Sequence, residues 1–268
     1  MKTLVLCAIL LLSHISYSAQ TLSFGIVPQQ SASKLARLWG PILKKVSEDT
    51  GIQLQFATAP DIPTFEKRLA AGEYDLAYMN PYHYTVFHDT NGYQALAKAK
   101  DKRIKGIIVV RKDSGINDLN DLDKSQLAFP APAAFAASIL PRSHLSGIGL
   151  DYSARYVSSH DSVYRTVAKG LYPAGGGVIR TFKNVAPEIR DQLKVLWTTK
   201  GYTPHAIAAH PRVNSKDMAA IGRALEHLDS SPEGKTLVKN IKIKGFEQAS
   251  NEDWDDVRSL NLNLLSDL

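Results

Sequence analysis

From Leu22 onward, short apolar runs alternate with segments whose apolar residues recur every three to four positions, the pattern of strands followed by amphipathic helices. Residues 22–27 predict a strand, 33–50 an amphipathic helix and 53–58 a second strand. A helix over 62–71 stops at Gly72, residues 75–79 give a strand, and 81–90 a helix that ends before Asn91-Gly92. This rhythm predicts an α/β fold, a parallel sheet with covering helices.

The β-branched run 104–110 predicts a strand buried on both faces, and Arg111-Lys112-Asp113-Ser114-Gly115 the exit from a first lobe. Strand 127–129, helix 133–146, strand 155–157, helix 160–169 and strand 195–199 then build a second lobe. Residues 206–209 predict a return strand, and helices 215–228, 232–239 and 251–264 are expected to pack back on the first lobe. The expected division is 20–110 with 205–268 as lobe one and 111–204 as lobe two, with crossings near 111 and 201 and a ligand cleft between the lobes. No repeat, low-complexity tract or heptad pattern occurs.

Residues 1–18 alter the picture of where this fold works. One Lys, an apolar stretch over 4–12 and small closing residues make the pattern of a cleaved secretory signal, too short to span ~30 Å of hydrocarbon. The chain is therefore expected to be exported and not itself membrane-spanning. Cys7, the single cysteine, lies in that segment, so the mature chain is expected to hold no disulfide and no thiolate ligand or nucleophile. Loss of Lys2 with the signal lowers the formal charge from +6 to +5. Such a field favours anionic solutes, but the scattered Lys and Arg form no basic run that would suit nucleic acid.

Candidate chemistry gathers where predicted strands end. Gln29, Gln30 and Ser31 follow the first strand, with Ser31 equally readable as a helix N-cap. Tyr78, Asn80 and Tyr82 flank Pro81 at the start of a helix, where unpaired N–H groups and the helix dipole favour an anion. Ala133, Ala134 and Phe135 carry no side-chain polar atom, so that loop offers only backbone N–H groups or is a plain strand-to-helix turn. Ser159, His160, Asp161 and Ser162 open another helix: Ser159 as cap, and His160 either as donor to an oxyanion with Asp161 setting its tautomer or as a lone surface histidine at a helix start. Gly176 lies in Gly175-Gly176-Gly177, expected as a turn that lets backbone approach a ligand; Arg180 beyond it is within reach of the site, though a solvated helix face is the first expectation for it.

Enzyme chemistry finds little support. No nucleophile elbow, zinc-helix pattern, P-loop or dinucleotide fingerprint is present. His205 and His210 are five apart on a predicted strand and point to opposite faces, so no metal site and no cofactor are expected.

With these loops assembled, the chain resembles the PhnD-like family of periplasmic solute-binding proteins that serve phosphate, phosphite and phosphonate ABC transporters. The resemblance rests on Gly72-Glu73-Tyr74-Asp75-Leu76-Ala77-Tyr78-Met79-Asn80-Pro81-Tyr82, Arg111-Lys112-Asp113-Ser114-Gly115-Ile116, Ser159-His160-Asp161-Ser162-Val163 and Ala174-Gly175-Gly176-Gly177. It implies a two-lobe type II periplasmic-binding fold closing on a small tetrahedral oxyanion, with an ABC permease as partner. Phosphonate-binding members carry a Ser-Thr-Ser-like cluster where this chain has Ala133-Ala134-Phe135. The Phe129-Pro130-Ala131-Pro132 turn, the glycine run and His205 with the 208–213 segment are similar to a branch that includes periplasmic arsenite sensors. For that branch the implied partner is a membrane histidine kinase, and the implied role sensing rather than uptake.

Overall fold

The strands of this chain assemble into two sheets, and the chain passes between them twice. The computed structural model describes residues 21–265; the segment 1–18 expected to be a signal, with Cys7, lies outside the described residues. The first sheet has the order β11-β4-β10-β3-β1-β2 and the second β7-β6-β8-β5-β9.

In the first lobe β1 (Thr21–Ile26) pairs in parallel with β2 (Gln53–Ala57) and β3 (Leu76–Met79). The joining helix α1 (Ala32–Thr50) buries Leu35, Trp39, Ile42, Leu43 and Val46, one apolar stripe, and ends at Gly51, whose φ of 73° only glycine adopts freely. Helix α2 (Ile62–Ala70) leads into β3, and α3 (Pro81–Asn91) follows it. Pro81 at the first helical position and Asn80 as cap fix where α3 begins. Strand β4 (Gln94–Ala99), which the hydrophobic pattern did not reveal, completes the run.

The second lobe begins earlier than the sequence suggests. Strand β5 (Gly106–Arg111), expected at the close of lobe one, pairs on both sides within the second sheet. Its apolar run matched a doubly buried strand; the polar segment after it, taken as the exit, is a tight turn with Arg111 paired to Asp113. Then come β6 (Ser125–Phe129), α4 (Leu140–Gly147), β7 (Tyr152–Tyr156), α5 (His160–Ala168), β8 (Ala174–Val178), α6 (Ile179–Asn184), α7 (Pro187–Arg190) and β9 (Leu193–Thr198).

Two expectations fail together here. The glycine run is no turn but the body of β8, between β6 and β5, and the helix expected from 133 starts as a π-helical turn, Phe135–Ile139, ahead of α4. One cause explains both: a Cβ on Gly176 would lie 2.0 Å from the Ala137 carbonyl oxygen, and one on Gly106 1.9 Å from that of Ala136. Bare strands let the π turn sit directly on the sheet.

The chain returns through β10 (Ala206–Ala209), antiparallel to β3 and β4, then α8 (Ser215–Glu226), α9 (Pro232–Asn240) and β11 (Phe246–Gln248). The expected helix 251–264 is shorter: a 3-10 turn leads into α10 (Asp255–Arg258), and regular structure stops there. The two crossings lie side by side, with Ile104 and Tyr202 exchanging N–H to O bonds of 2.7 and 3.0 Å. The first crossing thus falls between β4 and β5, not at 111. Apolar packing is continuous across the seam, since Ala131, Ala133 to Ala137, Ile139, Leu140 and Val178 join the core of the first lobe.

Candidate functional site

Three helix beginnings meet at the seam. Asn80 caps α3 by accepting from the His83 N–H at 2.8 Å, and its Nδ2 donates across the seam to the Ala133 carbonyl at 3.2 Å. Ser159 caps α5 by accepting from the Ser162 N–H at 3.1 Å, and the His160 N–H donates across to the Gln29 carbonyl at 3.1 Å. The π turn contributes Ala134 to Ala137, whose first N–H groups have no partner within the helix by geometry. Together with Val27, Ile62, Ile104, Val178 and His205 they close a chamber of about 10 Å³, room for one water.

His160 is buried, and its Nδ1 lies 3.1 Å from the Thr181 hydroxyl. Thr181, not the expected Asp161, therefore orients the ring, and Tyr164 braces Thr181 at 2.8 Å. The Thr181 hydroxyl also lies 3.0 Å from the Val178 carbonyl, and its one proton serves either that oxygen or Nδ1; in the second case the neutral ring keeps its proton on Nε2, as a donor to an anion must. Burial, with the positive charge of Arg180 as a smaller cause, pushes the His160 pKa down to about 3.

Arg180, expected on a solvated face, is instead at the centre of the seam. Its guanidinium donates to Gln29 Oε1 and stands 5.7 Å from the Tyr78 ring centroid, within cation–π range. Gln29 Nε2 then donates to His205 Nε2 at 3.0 Å, and His205 stacks on Tyr78 with centroids 4.8 Å apart. No carboxylate pairs with Arg180 among the described residues. Tyr78, Arg180 and His205 also line a second chamber of about 230 Å³, which shares Ile104, Val178 and His205 with the first.

The sequence candidates thus divide. Gln29, Tyr78, Asn80, Ala134, Phe135, His160 and His205 line the two chambers, and Ala133 joins through its carbonyl. Gln30, Ser31, Ser159, Asp161 and Ser162 line a separate groove of about 360 Å³ on another side of the seam, with Arg165. There Asp161 pairs with Lys34 at 3.6 Å, a bridge between the lobes. Tyr82 turns away from the seam, where its hydroxyl accepts from the Leu264 N–H at 2.7 Å. Gly176 serves packing.

Thr181 has no signal in the sequence, and Arg180 ranks there only as a residue that could reach the site, because reading 175–177 as a turn hides that both follow the end of a strand. Recognising β8 would have placed Arg180 at a strand's carboxyl end, the position shared by the four candidate loops. Among the described residues no cluster of three His, Cys, Asp or Glu fits a metal ion, and no helix is long and apolar enough to cross a membrane.

This architecture, two α/β lobes with a polar seam and paired crossings, is that of a two-lobe binding protein. Residues 24–254 match the family described as ABC transporter, phosphonate, periplasmic substrate-binding protein, and the chain belongs to that family. It is 25% identical over 215 residues to the phosphate-import protein PhnD of Mycolicibacterium smegmatis, covering 71% of this chain and 66% of that one, just under two thirds. It is 23% identical over 267 residues to the phosphonates-binding periplasmic protein of Escherichia coli, covering 93% of this chain and 78% of that one. Among solved structures it is similar to PhnD1 of Prochlorococcus marinus in complex with methylphosphonate, with a TM-score of 0.82, 17% identity and coverage of 91% and 99%. The fold is the type II periplasmic-binding fold.

Proposed function

We propose that this protein is the periplasmic component of an ABC importer and captures a phosphorus oxyanion in the seam between its lobes. The observation that carries the reading is the convergence of three helix N-termini with a guanidinium that has no carboxylate partner among the described residues. Helix N-termini and Arg are the two recurrent devices for holding such anions.

The bonds that cross the seam explain how a ligand enters. His160 N–H, Asn80 Nδ2 and Arg180 each donate to a protein oxygen: the Gln29 carbonyl, the Ala133 carbonyl and Gln29 Oε1. An oxyanion oxygen substitutes for each of these acceptors and makes a stronger, charge-assisted bond. A chamber of about 10 Å³ is too small for a phosphate, so the lobes must part at the Ile104 and Tyr202 crossing and close again around the guest. Closure then reports occupancy to the membrane permease.

The Ala133-Ala134-Phe135 stretch leaves side-chain hydroxyls out of this cage. Arg180 supplies the charge that makes up for them. Similarity to a phosphate importer and to a phosphonates-binding protein supports the same ligand class.

Titration calorimetry of the mature chain with phosphate, phosphite, methylphosphonate and sulfate tests this. One phosphorus oxyanion is expected to saturate one site per chain. At 100-fold its dissociation constant it adds about 2.7 kcal/mol of stability, roughly 5–10 °C in Tm for a chain of this size. Absence of heat and of thermal shift with all four would overturn the reading.

A further inference from the structure

The second chamber is lined by four cationic side chains, Lys102, Arg103, Lys105 and Arg180, and by no carboxylate. Its remaining wall is mostly apolar, including Ile104, Val178 and Ile243. Arg103 is neutralised by Asp256, but Lys102 and Lys105 have no acidic partner among the described residues. We infer that the ligand carries a second acidic group on a short carbon chain, so that its class is phosphonocarboxylate-like dianions and trianions rather than methyl- or aminoalkylphosphonates. This rests on the proposed function, since it assigns the head of the ligand to the helix N-termini and its tail to the adjoining chamber.

Size and charge lead to the same class. At about 230 Å³ the chamber far exceeds a methyl group, and it shares the wall residues Ile104, Val178 and His205 with the first chamber, so it is the neighbouring room for a chain that leaves the head group when the lobes part. Methylenes suit Ile104, Val178 and Ile243; a terminal carboxylate suits the half-buried Lys102 and the exposed Lys105. An ammonium tail would meet the like charges of Lys102, Lys105 and Arg180 and no carboxylate, which costs binding free energy and disfavours it. Burial, then repulsion from Lys183 and Arg180, lowers the Lys102 pKa, so its ammonium stands in an environment short of negative charge. A bound carboxylate removes that deficit.

Calorimetry with phosphonoacetate, methylphosphonate and 2-aminoethylphosphonate on the wild-type chain and on a Lys102→Met, Lys105→Met double variant tests the inference. Phosphonoacetate is expected to bind the wild type at least tenfold more tightly than methylphosphonate, with 2-aminoethylphosphonate weakest. The double variant is expected to lose that preference while its affinity for methylphosphonate stays within about twofold and its Tm is unchanged. If methylphosphonate binds the wild type as well as phosphonoacetate does, or the double variant keeps the preference, the acidic tail is wrong and the oxyanion function stands. If none of the three binds, the acidic-tail inference falls, while the oxyanion function stands or falls with the phosphate and phosphite titrations.

Discussion

Gln29 joins Arg180 to His205: its Oε1 accepts from the guanidinium while its Nε2 donates to the imidazole at 3.0 Å. One amide from the first lobe thereby orients a cation of the second lobe and fixes His205 as a neutral acceptor beside the stacked Tyr78. The arrangement holds Arg180 ready for a negative charge without a carboxylate neutralising it. It also makes the seam a place where a guest and the protein's own amides compete for the same donors.

Arg180→Met removes the only full charge assigned to the oxyanion head. The expected loss is about 10- to 100-fold in affinity for the phosphorus oxyanion, the worth of a hydrogen bond to a charged group. Calorimetry reads it directly, and Arg180→Lys is expected to restore part of the loss. Unchanged affinity in the methionine variant would remove Arg180 from the cage.

Acid should weaken the fold through the buried histidines. Burial first, and Arg180 second, hold His160 down to about 3 and His205 well below its ordinary 6.5. The unfolded chain binds protons near pH 6.5 that the folded protein refuses, so stability is full above about pH 7 and falls as pH drops toward 3. The slope reaches about 1.4 kcal/mol per pH unit per histidine. Urea midpoints between pH 7 and 5 measure it, and His160→Gln is expected to flatten the curve; an equally steep variant would count against the assignment.

Gly176→Ala is expected to destabilise the second lobe strongly, because its Cβ would sit 2.0 Å from the Ala137 oxygen. Overpacking of this kind costs about 1–3 kcal/mol or more, several degrees in Tm. Gly147→Ala, in α4, is the comparison: no atom beyond its own helix and chain neighbours lies within 4 Å of a Cβ there, so that helix should gain up to about 0.5–1 kcal/mol. Thermal scans of the two variants should move in opposite directions.

Tyr82→Phe separates packing from binding. It removes the hydroxyl that accepts from the Leu264 N–H, at a cost of about 0.5–1.5 kcal/mol. Oxyanion affinity should be unchanged, and a tenfold weaker titration would return Tyr82 to the ligand site.

The amino-acid order determined the elements whose cause is local. Alternation and helical periodicity marked α1, α2, α3, α5 and most strands, and Asn80-Pro81 and Ser159 marked two of the three helix beginnings, since a cap acts on its own next turn. The family motifs followed the same local stretches. Tertiary structure alone decided the rest. A triple glycine reads as a turn until a π turn is seen lying against it, β4 shows little alternation and exists because β10 and β11 pair with it, and β5 changes lobe through pairing on both its edges. The neighbours of His160 and Arg180 were undecidable in sequence for the same reason. Thr181 lies 21 residues beyond His160 and meets it through the packing of α6 against α5 inside the second lobe, whereas Gln29 lies 151 residues before Arg180 and comes within hydrogen-bond reach only where one lobe closes on the other.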